Sequence, residues 1–149
     1  MEFDFKKALN YSFWLLKYRA RSQKEIIERL KRKEYPASVA KKVIEYLLEH
    51  DFLNDAQFSR MFVDSAKNKS WGIRRIENAL KKFGVAKEIY QEFLPNKQET
   101  RQKLRELIER KSQYYKGKKN AYQKLVRFLA TRGFVLEDIF REIEEYKRI

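Results

Sequence analysis

Apolar residues in this chain recur at steps of four, five and four residues, and they do so three times. In the middle the series is Ile76, Leu80, Val85 and Ile89, and upstream it is Ile26, Leu30, Tyr35 and Val39. Downstream, Leu125, Leu129 and Phe134 keep the same steps, and Ile139 falls one residue late. A step of four stays on one face of a helix, and a step of five crosses a tight turn. Each series therefore predicts two helices joined by a short corner. The copies stand 50 residues apart (Ile26 to Ile76) and 49 apart (Ile76 to Leu125). Such a period signals stacked units, none of which buries its apolar face alone. Gly84 and Gly133 precede the corner residues Val85 and Phe134, where a helix C-terminus favours a left-handed residue. The first copy has Glu34 in that place and Pro36 close behind, which predicts a different stop there.

Polar punctuation places the other helices. Ser22–Glu25 and Asn96–Glu99 read as capping boxes, and Asn54 with Gln57 and Asn120 with Gln123 read as further helix starts. The first helix is expected from about Phe5 to Tyr18, with Leu9, Phe13, Leu16 and Ala20 on its inner stripe and Trp14 beside it. Phe58, Met61, Phe62 and Ala66 are expected to face inward on the fourth helix, Leu104, Leu107 and Ile108 on the seventh, and Ile139, Phe140 and Ile143 on the last. No alternation long enough for a sheet is present. With four glycines and two prolines in 149 residues, an all-helical chain follows. The expected architecture is all-α, an elongated array of three tandem three-helix repeats spanning 1–53, 54–95 and 96–149.

Charge narrows the function. Thirty-five Lys and Arg against 21 Asp and Glu leave a net charge of +14, which favours polyanionic or acidic partners and salt-sensitive association. The same surplus also suits nothing more than the solvated surface of a stable protein. There is no cysteine and one histidine, so the usual zinc sets and thiol or Ser-His nucleophiles are missing. A phosphate-cradling glycine loop is missing as well. His50 reads as a helix C-terminal cap, and Asp51 and Asp55 as corner and cap residues. Glu142, Glu144 and Glu145 read as a solvated helix face. No catalytic residue, metal site or cofactor is expected. The N-terminal stretch lacks the form of a secretory signal or a membrane span, and a cytoplasmic protein is expected.

Basic residues cluster in two places. The middle cluster includes Lys67, Lys69, Arg74, Arg75, Lys81, Lys82 and Lys87. The second runs from Arg110 and Lys111 to Arg132, with Tyr114 and Tyr115 interleaved. Cations among aromatic rings suit a phosphate backbone with stacked bases, or an acidic protein groove. Charge and position single out Arg74, Arg75, Lys81 and Lys82 centrally, and Lys118, Lys119, Lys124 and Arg127 toward one end. Sequence-specific operator reading is disfavoured, because the short helix after Gly84 carries Glu88 and Glu92 against Lys87.

One set of residues resembles a known family. Arg19, Arg21-Ser22, Glu25 and Leu30, then Asp51-Phe52-Leu53-Asn54-Asp55 with Phe58, Phe62, Val63 and Ser65, and above all Gly72, Arg75-Ile76, Leu80 and Gly84-Val85, are similar to the pattern of the RecX proteins, regulators of the RecA recombinase. The chain departs from that pattern at Ile73, where the family often has proline, and at Ala66, where a base is common. The resemblance implies a curved three-helix-repeat protein lying along the groove of a RecA–DNA filament. There it would oppose ATP hydrolysis and strand exchange in recombination, DNA repair and the SOS response. Of the eight basic candidates it marks Arg75. It implies the RecA filament as partner, with weaker nonspecific contacts to single- and double-stranded DNA, no membrane, and a monomer. An autonomous, sequence-nonspecific DNA-binding protein stays open as the alternative.

Overall fold

The computed structural model describes residues 2–148, so Met1 and Ile149, the outer ends of the first and third expected repeats, lie outside the described residues. Among the described residues the structure is helical throughout: α1 (Glu2–Tyr18), α2 (Gln23–Arg32), α3 (Ala37–Glu49), α4 (Asp55–Asn68), α5 (Ile73–Lys82), α6 (Lys87–Tyr90), α7 (Lys97–Tyr115), α8 (Ala121–Thr131) and α9 (Leu136–Arg148), with a 3-10 turn at Gln91–Phe93 after α6. The helices form two compact units. One ends at Phe62 and takes up Leu80–Glu92; the other comprises Val63–Ala79 and the chain from Phe93 on. Helices α4 and α5 thus contribute residues to both.

In the first unit α1, α2 and α3 pack on one another around Ala8, Leu15, Ile26, Leu30, Val43 and Leu47. In the second, α7, α8 and α9 do the same around Leu104, Ile108, Leu125, Leu129, Phe134 and Ile139. The recurring apolar positions supply the centre of each core: Ile26, Leu30, Ile76, Leu80, Leu129 and Ile139 are wholly buried. Burying side chains of this size is worth about 1.5–3 kcal/mol each, which makes the stripes the main source of stability.

The corners share one backbone device. At Gly84 and Gly133 the chain turns left-handed (φ 76° and 99°), and the next amide bonds back five residues, Val85 to the Leu80 carbonyl at 3.1 Å and Phe134 to the Leu129 carbonyl at 3.2 Å. The expectation of a different stop in the first copy is corrected. Glu34 adopts the same conformation (φ 65°), with Tyr35 N–H donating to the Leu30 carbonyl at 3.1 Å. Asp51 and Ser70 end α3 and α4 in the same way, at φ 60° each. This is the double hydrogen bond that closes many helix C-termini.

Each unit also holds a joint between a helix start and a corner further along the chain. In the first, Ser22 caps α2 by accepting from Glu25 N–H and donates its hydroxyl to the Phe83 carbonyl at 2.7 Å, while Gln23 N–H donates to Asp55 Oδ1 at 2.9 Å. In the second, the start of α5 lies directly on the α8–α9 corner. Gly72 N–H donates to the Arg132 carbonyl at 2.7 Å and Arg74 N–H to the Gly133 carbonyl at 2.9 Å. The first amides of a helix have no partner within it, and here corner carbonyls supply one. The approach is close enough to exclude side chains. A Cβ on Gly72 would lie 2.4 Å from the backbone of Gly133 and Phe134, and one on Gly133 would lie 2.6 Å from Arg75 N.

Several expected positions move. The wholly buried line of α1 is Ala8, Ser12 and Leu15, while Leu9, Phe13 and Leu16 are only partly buried against it. Ser12 turns its hydroxyl onto the Ala8 carbonyl at 2.9 Å, so a polar residue is tolerated there. On α4 Met61 faces solvent and Val63 is buried, and on α9 Phe140 is exposed. Asn120 makes no side-chain cap and instead takes a left-handed conformation, φ 57°. The boxes at Ser22–Glu25 and Asn96–Glu99 form as expected, and Asn54 Oδ1 accepts from Gln57 N–H.

These contacts order a set of substitutions by urea unfolding. Glu34→Gly is expected to stabilise by up to about 1 kcal/mol by relieving a left-handed residue that has a Cβ. Gly84→Ala, whose Cβ meets the Lys24 side chain rather than backbone, is expected to cost about 1–2 kcal/mol. Gly72→Ala and Gly133→Ala, which press on backbone, are expected to cost more than about 2 kcal/mol. Equal losses at Gly84 and Gly133 would contradict the joint.

Candidate functional site

All eight basic candidates are exposed, and the structure distributes them unevenly. Lys81 and Lys82 end α5 in the first unit, where the Lys82 carbonyl accepts from Lys24 Nζ at 3.4 Å. Arg74, Arg75, Lys118, Lys119, Lys124 and Arg127 all fall in the second unit. The turn between α7 and α8 displays Lys118 and Lys119. Gly117 is left-handed there, and Lys118 N–H bonds to the Tyr115 carbonyl at 2.9 Å.

Within the second unit, cations and rings alternate along one run of contacts. Lys118 Nζ sits 3.7 Å from the Tyr114 ring centre, and Lys111 Nζ lies 4.9 Å from Tyr114 and 4.7 Å from Phe128. The Arg132 guanidinium is 5.2 Å from Phe128 and donates to the Lys69 carbonyl at 3.1 Å. Lys69 and Arg75 both approach Trp71, the latter at 4.0 Å. Such pairs are individually modest, about 0.5–1 kcal/mol at exposed sites, and they fix long side chains in place. Arg75 therefore has two roles: its stem packs against Gly133 and its head lies over Trp71. Lys124 stands one turn before Phe128 on α8, while Lys119 and Arg127 lie outside the run.

Lys69, Lys111 and Arg132 belong to the basic clusters but not to the eight positions singled out from sequence. The missed signal is the helical offset to a ring: Trp71 to Arg75, Tyr114 to Lys118 and Phe128 to Arg132 are four apart, and Lys111 to Tyr114 three apart.

Several acids of this unit are paired elsewhere. Glu142, expected on a solvated face, is buried with its carboxylate held by Arg101 Nε at 2.6 Å and Arg105 Nε at 3.2 Å. Burial is possible because α7 presents two guanidiniums one turn apart, a tertiary arrangement that α9 alone does not reveal. Glu145 takes the other branch of both arginines, at 3.0 and 2.9 Å. Hydrogen bonds from Arg105 first, then Arg101, hold the Glu145 carboxyl below its ordinary range. Glu99 is held down chiefly by Lys67, with which it pairs at 2.8 Å. Among the described residues, none of Lys69, Arg75, Lys111, Lys118 and Arg132 takes part in an ion pair. The strip keeps its positive charge.

His50 caps α3 as expected, with Nδ1 2.9 Å from the Tyr46 carbonyl and its ring stacked on Tyr46. Among the described residues no cluster of His, Cys, Asp or Glu is placed to hold a metal, and no helix is long and apolar enough to cross a membrane.

The chain is thus built of three-helix units and carries a basic, ring-studded surface. Comparison with known proteins gives the family. Residues 8–47 match the model of the first three-helix domain of RecX, and residues 54–94 that of the second. The chain belongs to the RecX family. It is 30% identical over 140 residues to the regulatory protein RecX of Caldanaerobacter subterraneus subsp. tengcongensis, covering 91% of this chain and 68% of that one. It is 31% identical to that of Prosthecochloris aestuarii, covering 95% of both. Against the Clostridium beijerinckii relative (32% identical) the chain spans 57% of the relative's length. The crystal structure of RecX from Lactobacillus salivarius shares the fold with a TM-score of 0.86 over the whole of both chains, at 24% identity.

Two outcomes are expected at the α7–α9 clamp. Replacing Arg101 and Arg105 together by methionine leaves the Glu142 carboxylate buried without a partner, and should lower the urea midpoint more than Glu142→Gln, which leaves two guanidiniums able to reach water. Because the folded-state pKa of Glu145 is depressed, its stabilisation is fully present above the unfolded value, about 4.3, and is lost as pH falls through the lower folded one. Melting temperatures of the wild type should therefore fall more steeply below that value than those of Glu145→Gln.

Proposed function

We propose that this protein is a non-catalytic modulator of the RecA recombinase, a cytoplasmic monomer that binds in the groove of the RecA–DNA filament. There it represses ATP hydrolysis and strand exchange in recombination, DNA repair and the SOS response. Family membership supports a regulatory role toward RecA. The observation that carries the binding mode is the strip of cations and rings in the second unit, whose charges are not neutralised by neighbouring acids. Arg74, Arg75, Lys81, Lys82, Lys118, Lys119, Lys124 and Arg127 are the proposed contact residues, carried on repeats at 1–53, 54–95 and 96–149. Such a surface suits a polyanionic filament, where complementary charge speeds encounter and fixes register. Interleaved rings also favour a second reading, an autonomous nonspecific DNA binder.

A DNA-stimulated RecA ATPase assay separates the two. The first reading expects inhibition at protein levels well below those that saturate free DNA; the second expects inhibition that follows DNA occupancy. In the first case the quadruple substitution Arg74→Ala, Lys118→Ala, Lys124→Ala, Arg127→Ala should raise the half-inhibitory concentration at least tenfold or so at low salt, and less at high salt. Unaltered inhibition by that variant would remove the basic surface from the mechanism.

A further inference from the structure

The first unit carries a second aromatic feature, outside the basic positions considered so far. Helix α1 buries Ala8, Ser12 and Leu15 in the core, yet another face presents Trp14 and Tyr18 one turn apart, with Tyr11 half-buried against the core beside them. Trp14 is 52% exposed and Tyr18 68%. The rings form a ladder. Tyr11 and Trp14 lie nearly parallel with centres 6.0 Å apart, and Tyr18 meets Trp14 edge-on at 5.1 Å. Lys33, just past the end of α2, holds its ammonium 5.2 Å from the Tyr11 ring.

The corner that follows the ladder is rich in guanidinium and short of carboxylate. Arg19 pairs with Glu25, and Arg21 Nη1 lies 3.6 Å from the same carboxylate. Glu25 also receives Ser22 N–H in the capping box of α2, so one acid serves three donors. Arg21 is 91% buried, and its Nε has no hydrogen-bond partner. Burial first and the neighbouring Arg19 second hold the Arg21 guanidinium below its ordinary value, with Arg29 adding to the effect and Glu25 opposing it. Negative charge is undersupplied at this corner, and an anionic ligand would supply it.

Two exposed aromatic rings one helical turn apart, beside cations with few acids, match one chemistry. Unpaired bases offer π-faces that stack on tyrosine and tryptophan, and their phosphates meet lysine and arginine. A duplex keeps its base faces inside the stack and leaves the rings unused. An apolar helix from a protein partner needs an aliphatic groove, whereas this face is a ridge of rings flanked by positive charge. We propose that the Tyr11–Trp14–Tyr18 face of α1 is a docking surface for single-stranded nucleic acid, with bases on Trp14 and Tyr18 and phosphates toward Lys17, Lys33 and Arg19. The site involves none of the eight basic positions and needs no recombinase.

The test is fluorescence anisotropy of a labelled 20-nucleotide oligo-dT against the full chain, with the matching dA·dT duplex in parallel. Trp14→Ala/Tyr18→Ala is expected to lose about tenfold or more in affinity for the single strand and less than about twofold for the duplex, since each stacked ring contributes severalfold or more. Trp14→Phe/Tyr18→Phe, which keeps the rings, is expected to retain most of it. Both positions are exposed, and an unchanged melting curve confirms the fold. Unchanged single-strand affinity in the alanine variant, an equal loss on the duplex, or failure of the phenylalanine variant to rescue would each overturn the proposal. So would weaker inhibition of RecA with oligo-dT affinity intact, which would make the face a protein contact. None of these results bears on the basic positions of the second unit, which the quadruple substitution tests separately.

Discussion

The structure rests on one arrangement: the start of a helix hydrogen-bonded to a left-handed corner further along the chain. It occurs at Ser22 with Phe83 and again at Gly72 with Arg132 and Gly133. A helix start carries partial positive charge and unpaired donors, and a corner exposes carbonyls, so each feature completes the other. The two joints differ in means. At α2 a serine hydroxyl stands between helix and corner, and Asp55 supplies a second acceptor; at α5 no side chain intervenes and backbone meets backbone. That difference explains why the residue opening the joint is serine in one repeat and glycine in the next.

The same constraint accounts for the corner glycines. Gly84 lies under the Lys24 side chain and Gly133 under Arg75. Both need the left-handed conformation and both lack room for a Cβ. Glu34 has the conformation but is exposed, with no helix start against it among the described residues, and a larger residue is tolerated. Many of the residues that resemble the RecX pattern are explained in this way. Ser22, Glu25, Asn54, Asp55, Gly72 and Gly84 cap, turn or dock. They define the scaffold and leave the binding chemistry to the surface between them.

Features fixed by local chemistry were legible in the sequence. Helix faces, corner positions and two capping boxes follow from spacing and residue type, because a stripe, a left-handed turn or a cap involves neighbours within a few residues. What was hidden depends on distant partners. Glu142 looked like one more surface acid until Arg101 and Arg105 enclosed it. The inner face of α1 lay one residue away from its expected phase, because Ser12 satisfies its hydroxyl on the helix's own backbone. Met61 and Phe140 are apolar yet exposed, which no periodicity distinguishes from burial. The cation–ring run was half visible: its lysines and tyrosines stood out as composition, but the contact of Arg132 with Lys69 joins residues 63 apart.

A joint made of peptide groups is nearly blind to what the side chains are. Mutation can rewrite most of the surface and much of the core without touching it, so long as a few small residues persist where two backbones meet.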